Sequence, residues 1–139
     1  MHLERRYDET LRPRITFTYD RINTLQLAGK LALKLAGKRA SLKYKPNVIA
    51  AVYSFILWYS EPLQAVADAH YSGYKVAQQV GDVLYAQYNL FINCQTNYLT
   101  GQNLCTIQSN VKDIVSGMVS QKQKDIVHGV IVYYHVVAL

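Results

Sequence analysis

Apolar residues recur along most of this chain at the three-to-four-residue spacing of an amphipathic helix. The clearest stripe is Leu63, Val66, Ala67, His70, Gly73, Tyr74 and Ala77, all on one face of a 3.6-residue period. Upstream, Leu, Ala and Lys dominate Leu25–Leu35 and predict a helix from about Tyr19 to Lys38, with Gly37 as its stop. Pro13 is expected to interrupt any helix in the polar, basic residues 1–17. Val48–Tyr59 is apolar nearly all round, which predicts an innermost helix opened by Pro46 in its first turn. Ser60-Glu61-Pro62 reads as a restart, and Gly81 followed by Asp82 as a tight turn between two helices. The helix after Asp82 is expected to carry Leu84, Tyr88, Phe91 and Tyr98 along one side and to end near Gly101. Asn103 is placed to cap a fifth helix with the stripe Leu104, Ile107, Val111, Ile114, Val115 and Met118. A sixth segment sets Ile126, Val127, Val130, Ile131, Tyr134, Val137 and Ala138 at helical offsets. Its β-branched content leaves residues 129–139 open between helix and strand, and the five preceding segments favour helix.

Paired in order, these segments make hairpins that begin near residues 20, 62 and 104, an interval of about 42 residues, within the range of helical repeats. The expectation is an all-α fold of about six helices in stacked hairpins, a tetratricopeptide-like α-solenoid. Residues 1–18 form an N-terminal polar, basic segment and 19–139 the repeat region. The apolar Ile126–Leu139 has no polar capping helix after it, so the chain is expected to be a piece of a longer protein and to self-associate when isolated.

Charge changes the picture at one end only. Residues 1–45 hold eleven Lys/Arg and four Asp/Glu, a net +7, whereas residues 46–139 hold four and five, a net −1. Whole-domain nucleic-acid binding is not expected from so local a bias. Lys30, Lys34 and Lys38 recur every four residues along one helical edge, followed by Arg39, Lys43 and Lys45. A solvated face opposite the leucines accounts for them, and docking of an acidic partner or an anionic membrane surface is the sharper alternative. Two cysteines and no export leader point to a reduced, cytoplasmic setting. The twelve tyrosines suit helix boundaries, and two that fall off the stripes, Tyr71 and Tyr85, are candidate exposed anchors.

The residues that bear on chemistry are sparse. His70 lies on an apolar stripe, and His128 and His135 are seven apart, without the short local spacing of a zinc site. Cys94 is expected to be a buried small hydrophobe, with no base to activate it. No phosphate loop of the form Gly-x-x-x-x-Gly-Lys-Ser/Thr occurs, nor a kinase HRD or DFG motif. Neither a cofactor nor a metal is expected, and the segment is read as non-catalytic.

Two blocks carry a resemblance. One is Leu31-Ala32-Leu33-Lys34-Leu35 with Val52-Tyr53-Ser54-Phe55-Ile56-Leu57-Trp58-Tyr59-Ser60-Glu61-Pro62-Leu63; the other is Gly73-Tyr74, Gly81-Asp82-Val83-Leu84-Tyr85-Ala86-Gln87-Tyr88-Asn89, Asn93-Cys94, Gly101 and Leu104. Over roughly residues 19–110 the chain resembles the helical, tetratricopeptide-like region of large signalling proteins built around an AAA-type predicted ATPase. In that family a protein-kinase domain often precedes the ATPase, and GAF, histidine-kinase or nucleotide-cyclase modules often follow the helical region. The resemblance implies a connector between a nucleotide-driven switch and an output module, with other protein domains as partners. It carries over no catalytic residue. Ala86 matches the small position of a repeat's second helix, and the proline that usually closes such a repeat is replaced by Tyr98-Leu99-Thr100-Gly101. The positions expected to dock a partner are Lys30, Lys34, Lys38, Arg39, Tyr71 and Tyr85.

Overall fold

The computed structural model describes residues 11–120 and 124–138, and among them every regular element is helical. Six α-helices follow one another: α1 (Leu11–Ala36), α2 (Lys45–Phe55), α3 (Leu63–Val80), α4 (Val83–Leu99), α5 (Leu104–Ser120) and α6 (Lys124–Ala138). A short 3₁₀ helix, Arg39–Tyr44, joins α1 to α2. Each α-helix packs on the next in sequence, most extensively α3 on α4, and α2 also touches α4. This all-α, sequentially packed arrangement is consistent with a helical solenoid. The open question over residues 129–139 resolves as helix as far as Ala138. Among the described residues no helix is long and apolar enough to cross a membrane.

The turns follow from local chemistry. Gly81 takes φ +74°, and the amides of Gly81 and Asp82 bond back to the carbonyls of Gln78 and Ala77 in a Schellman closure. Asp82 then accepts the amide of Tyr85 at 3.1 Å, capping α4. Gly101, at φ +79°, repeats the closure through Gly101 to Tyr98 and Gln102 to Asn97, and Asn103 Oδ1 accepts the amide of Cys105. Pro62 stands immediately before α3, as the restart signal requires.

One part of the core, formed by α4, α5 and α6, gathers Cys94, Ile107, Val111, Ile114, Met118, Val127 and Val130, close to the pattern that periodicity predicts. Of the remaining α6 stripe, Ile131 and Tyr134 pack against this cluster, while the side chains of Ile126, Val137 and Ala138 lie outside the described residues.

Four expectations need correcting. Pro13 does not interrupt a helix: α1 begins at Leu11, so Pro13 falls in the first turn, where its missing N–H removes no bond. Val48–Tyr59 is not an innermost rod. α2 ends at Phe55, and Phe55 and Tyr59 are 72% and 88% exposed. The most buried side of α4 is Ala86, Asn89, Asn93, Cys94 and Thr96; of its aromatic stripe Phe91 packs against the core and Tyr88 is half-buried, while Leu84 and Tyr98 are exposed.

The fourth correction concerns α1, whose leucines are not its packing face. Gly29 and Ala36 are buried instead, and a Cβ on Gly29 would stand 3.1 Å from Val52 Cγ1 and 3.3 Å from Ile56 Cγ2. Small residues let the α1 and α2 backbones approach closely, and Leu27, Leu31 and Leu35 are turned to the outside.

Candidate functional site

The outer sides of α2 and α4 meet in a shallow apolar groove. One end, about 310 Å³, is lined by Asn47, Ala50, Ala51, Phe55, Leu84, Tyr85 and Tyr88. A second depression of about 240 Å³ shares Phe55 and Tyr88 and adds Ser54, Trp58, Tyr59, Ile92 and Gln95. Tyr59 is available because α2 stops at Phe55, one turn before the apolar run does, and Leu84 stands exposed in the first turn of α4. Tyr85 and Tyr88 meet edge to face, with ring centroids 6.4 Å apart. Neither depression is lined by a charged group, so the groove offers aromatic surface rather than acid–base chemistry.

Beneath the groove runs a buried polar chain that periodicity does not reveal. Asn89, fully enclosed, donates through Nδ2 to the carbonyls of Pro46 (3.1 Å) and Tyr85 (2.8 Å). Its Oδ1 is therefore the acceptor, and His70 Nδ1–H donates to it at 2.9 Å. That tautomer leaves Nε2 of His70 to accept from Ser54 Oγ at 3.5 Å. Asn93 similarly donates to the carbonyl of Ala67 at 2.7 Å. These carboxamides tie α4 to α2 and α3.

Ser54, His70 and Asn89 have the connectivity of an acyl-transfer triad, but their setting favours a structural role. Asn89 is neutral and brings no charge to stabilise an imidazolium. His70 is fully enclosed, and burial holds its pKa below the usual histidine range despite the hydrogen bond it donates to Asn89, which acts the other way. The serine contact is at the limit of a hydrogen bond.

The six positions expected to dock a partner do not form one site. Lys30 and Lys34 lie exposed on α1, and Lys38 and Arg39 at its junction with the 3₁₀ helix. Lys30 Nζ reaches Glu61 at 3.8 Å, an exposed pair of little energetic weight. Tyr71 is exposed on α3, with Lys75 Nζ 4.5 Å from its ring centroid. Tyr85 is half-buried and alone of the six lines the groove. Phe55, Tyr59 and Leu84 were missed because apolar runs read as core, and no signal in the sequence marks where α2 ends.

Cys94 is buried, and desolvation pushes its thiol up to about 11, whereas Cys105 is exposed. His128 and His135 are also exposed, and no cluster of three metal-ligating side chains occurs among the described residues. No family model matches the chain, and comparison with the curated proteins and with the solved structures finds no match either.

Proposed function

We propose that this chain is a non-catalytic, tetratricopeptide-like interaction segment that couples an AAA-type ATPase to an output module in a multidomain signalling protein. The observation that carries this reading is the aromatic groove between α2 and α4, built on helices that each pack on the next. A stack of this kind moves as connected layers, so a domain seated on one layer biases the position of its neighbours. Exposed Phe55, Tyr59 and Leu84 are the side chains expected to gain most from burial by a partner domain.

The test pairs the chain with the product of the reading frame immediately upstream. The expected result is an AAA-type ATPase whose turnover changes when this chain is joined to it. Leu84→Asp should abolish that change while leaving the fold intact, because an acidic residue in the first turn of a helix is favourable. An upstream frame without such an ATPase, or turnover indifferent to the chain, overturns the coupling reading.

A further inference from the structure

We infer that the outer face of α1 docks onto an anionic lipid bilayer, with Leu27, Leu31 and Leu35 entering the interface and Lys30 and Lys34 meeting the headgroups. The three leucines are 70%, 55% and 47% exposed and stand four residues apart, one above another along a ridge of about 12 Å. They lie opposite the Gly29 side that packs on α2. Lys30 and Lys34 follow Leu27 and Leu31 by three residues, which sets them on one flank of the ridge. Both lysines are exposed, so their stems can run beside the leucines while the ammonium groups stay at the polar surface.

Charge selects the occupant. From Ile22 to Lys45 the sequence holds six Lys/Arg and no Asp/Glu. Among the described residues the ion pair on this surface joins Lys30 to Glu61, 3.8 Å away on the connection between α2 and α3. A second copy of the chain would bring two such cationic faces together, which opposes self-pairing. An acidic peptide helix seats best in a groove between two helices, but among the described residues α1 packs substantially only on α2 and the 3₁₀ helix. A single convex ridge of leucine with flanking lysine matches a flat, negatively charged bilayer instead. This goes beyond the coupling role and does not depend on it.

The test is co-sedimentation of the full chain with phosphatidylcholine vesicles, with and without about 30 mol % phosphatidylserine. Binding is expected only to the anionic vesicles and should fall at least about tenfold on raising salt from about 0.05 to 0.5 M. The double substitution Lys30→Glu/Lys34→Glu should weaken it by about tenfold or more. Leu31→Gln/Leu35→Gln, at exposed positions, should weaken it by a similar factor with the helical circular dichroism unchanged. Absence of binding to anionic vesicles at low salt overturns the inference, and so does equal binding to neutral vesicles. Binding that the leucine variant leaves intact would reduce the contact to charge adsorption and also overturn it. If the lysine variant instead abolishes binding to an acidic amphipathic peptide while vesicles never bind, the face belongs to a protein partner.

Discussion

Asn89 is where the packing of three helices can be weighed most directly. It is fully buried on α4, bonds the carbonyl of Pro46 on α2 and accepts from His70 on α3. Asn89→Ala leaves the Pro46 and Tyr85 carbonyls with their own intrahelical partners, but strands the Nδ1–H of His70 in a buried site. An orphaned buried donor costs about 2 kcal/mol, and the lost bond between α4 and α2 about 1 kcal/mol more. The expected destabilisation is therefore about 3 kcal/mol, or a fall in Tm of about 10 °C for a chain of this length. Thermal and urea unfolding followed at 222 nm measure it. A second variant separates an orphaned donor from a simple void: His70→Phe/Asn89→Leu removes both partners and should recover about half the loss. A loss below about 1 kcal/mol for Asn89→Ala would refute the reasoning, since the carboxamide would then hold nothing that water or a shifted imidazole cannot replace.

Three further outcomes follow from the same packing. Gly73→Ala would put a Cβ 2.7 Å from Asn89 Oδ1 and 3.0 Å from Ile49 Cγ2, and should cost about 2 kcal/mol despite alanine's better helix propensity. At Gly117 the Cβ would meet only the end of the Gln87 side chain, at 3.0 Å, so Gly117→Ala should be neutral or stabilising in the same melts. His70 is held neutral by burial, with its folded pKa below the ordinary 6.5, so the unfolded chain binds the extra proton. Stability from this residue is thus complete above about pH 6.5 and falls as the pH drops from there towards the folded pKa. Urea midpoints should follow that trend, and His70→Gln should flatten it. Under a neutral-pH thiol reagent Cys105 should react at once and Cys94 only on unfolding, because Cys94 is buried with its thiol at about 11; two fast equivalents would contradict this.

Sequence by itself determined the class of fold and most of its punctuation. The period of the apolar residues fixes helix over strand, and Pro62, Gly81, Asp82, Gly101 and Asn103 set starts and stops through purely local bonds. The α3 and α5 stripes were legible because those helices bury a single apolar face: Val66, Ala67 and Ala77 on one, Ile107, Val111, Ile114 and Met118 on the other. Tertiary structure decided what periodicity leaves ambiguous. On α1 two faces compete, and the small face wins because Gly29 lets Val52 and Ile56 approach within about 3 Å of where a Cβ would stand, which leaves the leucines outside. On α4 the buried side carries Asn89 and Asn93, which read as surface until carbonyls on α2 and α3 supply their partners. The second depression of the groove takes Trp58 and Tyr59 from beyond the end of α2 at Phe55, where the apolar run continues without the helix. An apolar side chain carries the same pattern whether a neighbour covers it or not, so only the placement of the other helices distinguishes core from surface.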